Sequence, residues 1–229
     1  MRTRWIAEMV ILCLVPVGLG ACAWFQWDAS ALLSFVVAVA AIVLFFVDFE
    51  TSKPALRQIM PTVVLAALAA AGRILFAPIP DVKPVSAICI LAGAVFGRRC
   101  GFMTGALAAL VSNFFFGQGA WTPWQMYSWG LVGYLAGVLS AQGWLDHKPI
   151  LYTYSFLSAL VFGLIMNGWY VIGFVHPLTW ESVLLAYAAG FPFDVIHGVA
   201  TVGFTAIIYC PWKQKLVRMR EKYALSGSA

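Results

Sequence analysis

The sequence predicts an all-α polytopic membrane protein, and three observations carry that prediction. Of the 229 residues 62% are apolar and only 10% are Asp, Glu, Lys or Arg, against roughly 45–50% and about 25% in an ordinary soluble domain. The apolar residues form runs separated by short polar punctuation. At about 20 residues per crossing of a hydrocarbon core about 30 Å thick, they fill at most about seven or eight spans and leave little for an extramembrane domain. Finally, the basic residues sort to alternate loops. With the N-terminus inside, Arg2, Arg4, Lys53, Arg57, Arg98, Arg99, Lys148, Lys213, Lys215, Arg218, Arg220 and Lys222 fall on the cytoplasmic side, and only Arg73 and Lys83 fall outside. That is the bias expected of a membrane protein with both termini cytoplasmic.

The runs are Trp5–Trp24, Ala31–Val47, Met60–Ala77, Val85–Gly97, Phe102–Phe116, Trp124–Ala141, Ile150–Val175 and Val183–Cys210. Two of them are unusual. Val85–Gly97 is too short to cross upright at about 1.5 Å per residue, so it must be buried among its neighbours. The last run contains Gly190 and Pro192 and carries Asp194 and His197, which predicts a broken helix lining a cavity. At the N-terminus, Leu19-Gly20-Ala21-Cys22 after a basic start resembles a lipoprotein processing site. Glu8 in the preceding apolar stretch argues instead for a retained span.

The formal charge of +5 would suggest nucleic acid in a soluble protein. Here the cations flank apolar runs, where they bind anionic headgroups, so the lipid bilayer is the expected partner and nucleic acid is not. The five cysteines are scattered singly, with no CxxC and no histidine at ligand spacing. Neither a disulfide framework nor a metal site is expected. Phosphate-binding loops, H-E-x-x-H and G-x-S-x-G are absent from the sequence, which removes ATP hydrolysis and weakens the common hydrolase readings.

Small residues mark the packing faces. Gly93, Gly97, Gly101 and Gly105 recur every four residues, and with Gly133 and Gly137 they read as internal helix contacts. Ala66 with Ala70 and Ala67 with Ala71 form two adjacent strips on one helix, flat enough to receive another helix of this chain or of a partner.

The polar candidates gather on the outer side. Asn113, Gln118, Thr122 and Gln125 supply uncharged donors and acceptors on a glycine-bearing loop between Phe116, Trp121 and Trp124. An interfacial aromatic belt would account for the tryptophans alone. Interleaved amides favour recognition of a largely neutral, partly planar ligand, because a lipid-facing amide is costly. Asn167 and Tyr170 extend this set. Asp194 and His197 stand at i and i+3, on one face and able to interact, either as a structural pair or as a proton relay or ligand contact. The loop Ala77–Pro84 holds three prolines and is expected to be stiff, suited to capping an external cavity, with Arg73 and Lys83 as cations beside it and Asp81 able to neutralise one of them.

Together, Gly72-Arg73-Ile74-Leu75-Phe76, Lys83-Pro84, the glycine ladder, the Asn113–Met126 block and Gly190-Phe191-Pro192-Phe193-Asp194 resemble the substrate-binding S components of energy-coupling factor (ECF) transporters. Within them the likeness is to the cobalamin-type subgroup, which has two extra N-terminal helices. The resemblance implies a six-helix core over residues 53–223 preceded by two added helices in residues 1–50, in the bacterial cytoplasmic membrane. It implies no enzymatic activity and no intrinsic cofactor. The chain would capture a vitamin or related micronutrient, cobalamin by the subgroup, and work with a transmembrane coupling protein and two cytoplasmic ATPases. By position it places Ala66, Ala67, Ala70 and Ala71 at the docking surface. It places Arg73, Asn113, Phe116, Gln118, Trp121, Trp124, Gln125, Asn167, Tyr170, Asp194 and His197 around the ligand. A membrane enzyme using Asp194 and His197 as acid and base, or a structural subunit, are the competing readings from the residues alone.

Overall fold

A computed structural model describes residues 56–223 continuously, together with helical positions scattered between Val10 and Phe46. The N-terminal spans and the Cys22 processing site fall largely outside the described residues. Six α-helices follow in order: α1 Leu56–Leu75, α2 Val85–Phe96, α3 Arg98–Phe116, α4 Thr122–Ala141, α5 Lys148–Phe174 and α6 Trp180–Lys222, with a 3-10 turn Trp144–Asp146 before α5. No strand occurs among the described residues. Four helices, α1, α3, α5 and α6, are long and apolar enough to cross a membrane. Six helices are thus described of the eight expected, with the first two spans untested.

The short span behaves as its length demands. At 12 residues α2 is about 18 Å long, too short to cross upright. It lies at the centre of the bundle and touches all five other helices. Ten of its residues are buried, so its backbone is shielded by protein, as a hydrocarbon environment requires. Gly97 ends it at φ 91°, in the region that favours glycine, and the chain turns directly into α3.

The glycine ladder sets the packing of α2, α3 and α4. A Cβ on Gly93 would meet Gly137 N at 2.9 Å, one on Gly101 would overlap the Gly133 carbonyl, and one on Gly105 would overlap the Trp129 backbone. Backbone meets backbone here, so association rests on close van der Waals contact and not on apolar transfer. Around this contact Phe102, Tyr127 and Tyr134 are wholly buried. Ala38 and Ile42, from the N-terminal segment, join the same core.

The last helix departs from expectation. The predicted break at Gly190-Pro192 is absent: α6 runs unbroken for 43 residues, about 64 Å, with Pro192 and Pro211 inside it. A proline in a helix removes one N–H and leaves the ladder on either side intact, and membrane helices tolerate this. The start of α6 is fixed by Thr179, whose hydroxyl accepts from Ser182 N at 3.2 Å while the Ser182 hydroxyl accepts from Thr179 N at 3.0 Å, a reciprocal cap.

The two ends of the bundle differ in charge. At one, Lys213 pairs with Asp146 at 2.6 Å and Arg220 donates to Val95 O at 2.7 Å, close to Arg98 and Arg99 at the start of α3. At the other stand the proline-rich loop after α1 and the Gly117–Trp121 loop between α3 and α4.

Candidate functional site

Arg73 organises the second end. It lies in the last turn of α1 and reaches across to α3 and α4. Its guanidinium donates to Ser112 Oγ at 2.6 Å and Asn113 Oδ1 at 2.7 Å, with Gln125 Oε1 further off at 3.5 Å. Phe116 and Trp129 lie against the cation, their ring centroids 4.6 and 4.9 Å from Cζ. The planar charge is therefore held by neutral acceptors at its edge and aromatic faces beside it, a setting that suits arginine and not lysine.

The amides form one network. Asn113 is fully buried, and its Nδ2 donates to Thr122 Oγ1 at 3.1 Å and Gln125 Oε1 at 2.8 Å. Thr122 Oγ1 in turn donates to Gln118 Oε1 at 3.0 Å and accepts from Gly119 N at 3.2 Å. Gln118 Nε2 donates to Leu110 O at 2.9 Å, which pins the loop to α3. Pro123 stands in the first turn of α4, where its missing N–H costs nothing.

A second constellation lies next to the first. Trp129 Nε1 donates to Ser86 Oγ at 3.2 Å, and Ser86 Oγ pairs with His197 Nε2 at 2.9 Å. Phe162 packs on both rings, 4.7 Å from Trp129 and 5.2 Å from His197 between centroids. One hydroxyl on α2 thus ties α4 to α6, and Trp129 is shared with the Arg73 stack. Nearby, Asn167 Nδ2 on α5 donates to Asp194 Oδ2 on α6 at 3.1 Å.

Several expectations change against this geometry. Asp194 and His197 do not pair with each other, because α5 and α2 pack on different sides of α6 and supply Asn167 and Ser86 as partners. Trp124, expected to meet the ligand, is not exposed. It is wholly buried in the core, and its indole N–H has no partner among the described residues. Tyr170 lies on the exposed side of α5, stacked on Phe174 at 5.8 Å, away from the cluster. Trp121 is partly exposed and covers Gly119. Lys83 is not available to a ligand, since its ammonium is occupied by Phe76 O at 2.5 Å and Ile79 O at 2.6 Å, closing the turn after α1. In that loop burial pushes the Asp81 carboxyl above its ordinary range, while Lys83 pulls it back down.

The alanine strips divide. Ala66 and Ala70 are buried, whereas Ala67 and Ala71 are exposed beside Val63, Val64 and Leu68. A helix turns 100° per residue, so neighbouring strips face different surroundings.

Ser86, Ser112, Trp129 and Phe162 were not among the expected site residues. Ser112 adjoins Asn113, and Trp129 lies one turn beyond Gln125, spacings that put each near a residue already chosen. Ser86 and Phe162 carry no such local signal.

What this arrangement can do is bind. It offers a fixed planar cation, amide edges and aromatic faces, and no cluster of metal-ligating side chains occurs among the described residues. No solved structure matches the chain significantly. A family model described as the S component of ECF-type riboflavin transporters matches residues 53–214, the whole described bundle short of its last turns. The chain therefore belongs to the family of ECF-type riboflavin transporter S components.

Proposed function

We propose that this chain is the capture subunit of an ECF importer for a flavin-like vitamin, a planar, largely neutral heteroaromatic ligand. Membership of the family makes it a non-enzymatic, multi-pass membrane subunit that binds a small molecule and works with an ECF module. The observation that carries the narrower reading is the Arg73 centre, with a guanidinium between Phe116 and Trp129 and the amides of Asn113 and Gln125 at its edge. Aromatic faces suit a flat ring system, and the Gln125 amide with the Arg73 N–H groups beyond those bound to Ser112 and Asn113 suits its carbonyl-rich rim. Cobalamin, implied by the resemblance to the cobalamin-type subgroup, has no support in a family described by riboflavin.

Flavin fluorescence provides the test, because stacking on tryptophan quenches it. Titrating riboflavin into the purified chain should give saturable quenching that excess cobalamin does not reverse. Arg73→Gln and Asn113→Ala should each weaken binding about 10- to 100-fold, the worth of a hydrogen bond to a charged group. Displacement by cobalamin, or unchanged affinity in both variants with the fold intact, would overturn the assignment.

Docking to the coupling protein falls on the exposed alanines. Ala67→Trp or Ala71→Trp should block uptake in cells that also express the ECF module while leaving flavin binding unchanged. The same change at Ala66 or Ala70 should instead lower the yield of folded protein, since those positions are buried.

A further inference from the structure

His197 is 5% exposed, so protein covers its ring. A buried imidazole that does not face the ligand is ordinarily a packing residue. This one ends a row of contacts that starts at the Arg73 guanidinium, and counting donors fixes the direction of that row.

An indole nitrogen can only donate. The bond from Trp129 Nε1 to Ser86 Oγ, at 3.2 Å, therefore uses the serine oxygen as acceptor and leaves the serine proton free. Ser86 is wholly buried on α2, and its hydroxyl has one further partner among the described residues, His197 Nε2 at 2.9 Å. If Nε2 carried the imidazole proton, the serine O–H would be buried without an acceptor, a costly arrangement. The Ser86 hydroxyl thus donates to Nε2, and His197 is the neutral tautomer with its proton on Nδ1. Bonds linked head to tail in this way strengthen one another, so the acceptor at the end of the row supports the indole bond at its start.

Phe162 narrows the alternatives. Its ring lies 4.7 Å from that of Trp129 and 5.2 Å from that of His197 between centroids, edge-on to the imidazole. In a close-packed interior neither ring can turn without displacing it. On the other side, the Trp129 ring centroid lies 4.9 Å from Arg73 Cζ, and cation–π attraction depends on where the ring face points.

We propose that His197 is a positioning residue for ligand capture: through the Ser86 hydroxyl it fixes the Trp129 indole, and through that ring it fixes the Arg73 guanidinium. The acceptor comes from α6, so the cation on α1 is set by a helix it does not touch through its own hydrogen bonds. The effect on binding rests on the flavin reading of the Arg73 centre, whereas the hydrogen-bonded row does not.

Ultraviolet resonance Raman spectra of the full purified chain test the row without any ligand, because an indole band shifts with the strength of the N–H hydrogen bond. The chain has ten tryptophans, so the Trp129 signal is taken as the difference from Trp129→Phe. His197→Leu should shift that band. So should His197→Asn, whose amide is too short to reach Ser86 and which keeps the site polar should the leucine variant not fold. His197→Gln restores an acceptor at similar reach and should return the band to its parent position. Riboflavin titration by fluorescence quenching reads the consequence. Affinity should fall about three- to tenfold in His197→Leu and His197→Asn, the worth of one hydrogen bond, and stay within about twofold in His197→Gln. In an Arg73→Gln background His197→Leu should add no further loss, because its effect travels through the cation. An unshifted Trp129 band would overturn the proposal. So would equal losses of affinity in His197→Leu and His197→Gln, which mark ring packing alone, or an additive loss in the Arg73→Gln background. If Arg73→Gln itself binds riboflavin like the parent, the flavin reading falls, and the Trp129 band still decides whether His197 holds the indole.

Discussion

The α2–α4 block and the α5–α6 hairpin both contain glycines within apolar helices, yet those glycines meet different things. In the block, a Cβ on Gly93, Gly101, Gly105 or Gly133 would run into the backbone of a facing helix. In the hairpin, the nearest atoms to Gly163, Gly190 and Gly198 belong to the side chains of Asp194, Asn167 and Phe156, and a Cβ on Gly173 or Gly203 would meet nothing within 4 Å among the described residues. A backbone fixed in its own hydrogen-bond ladder has no room to yield, whereas a side chain can change rotamer. The block is thus a fixed base, and the hairpin is a layer whose spacing side chains decide. The Arg73 centre is built mainly on the base, with Ser86 joining it to the hairpin.

The contrast is broken most severely at Gly133. Gly133→Leu should force α3 from α4 and lower stability by about 3 kcal/mol or more, the upper range of overpacking. Even Gly133→Ala should be felt, since its Cβ already overlaps Gly101. The measurements are the yield of monodisperse protein and its melting temperature. Normal melting of Gly133→Leu would show that the block is not fixed.

The junction comes next. Ser86→Ala leaves two buried groups, Trp129 Nε1 and His197 Nε2, without their partner. The expected cost is about 1–3 kcal/mol, the penalty for an unsatisfied buried polar group. Ser86→Ala with Trp129→Phe removes one orphan along with the hydroxyl, and should recover part of the loss while still weakening the proposed flavin binding through the missing indole. If Ser86→Ala alone melts like the parent, base and hairpin are joined by apolar packing only.

Legibility in the sequence follows the same division. The base could be read in advance, because the shortness of Val85–Gly97 demands burial and a four-residue glycine repeat demands close approach. The residues Asn113 to Gln125 could be singled out, since amides are costly in an apolar chain, but the sequence pointed them at a ligand and not at one another, as they are found. The junction could not be read. Ser86 and His197 are 111 positions apart, and a serine in the first turn of a short apolar helix signals nothing about a histidine on another helix. Asp194 and His197 shared a face, but shared periodicity does not reveal which neighbouring helix offers the better partner. Likewise the alanine strips could be placed on a helix, while the face turned inward depended on how α1 settles against the bundle. The continuity of α6 through Pro192 was hidden for a related reason: the tertiary environment, absent from any local window, compensates the lost N–H.

A smaller effect is expected from Asp194→Asn, which retains an oxygen to accept from Asn167. Stability should change by less than about 1 kcal/mol, the scale of one hydrogen bond, and transport should persist. Loss of all function with normal folding would give the carboxylate a chemical role that its present partner does not indicate.

The smallest effect belongs to the open positions of the hairpin. Gly173→Ala and Gly203→Ala add a methyl where nothing lies within 4 Å among the described residues, at helical sites. Replacing glycine in a helix interior limits the unfolded chain, and the gain is about 0.5–1 kcal/mol. Both variants should therefore melt at or slightly above the parent temperature. The two positions also separate two kinds of open space. If Gly203→Ala is neutral in the isolated chain but impairs uptake when the ECF module is present, the space beside it is filled by the partner, and the hairpin, not the base alone, takes part in docking. If it is neutral in both settings, the space faces lipid, and the exposed alanines of α1 remain the proposed docking surface.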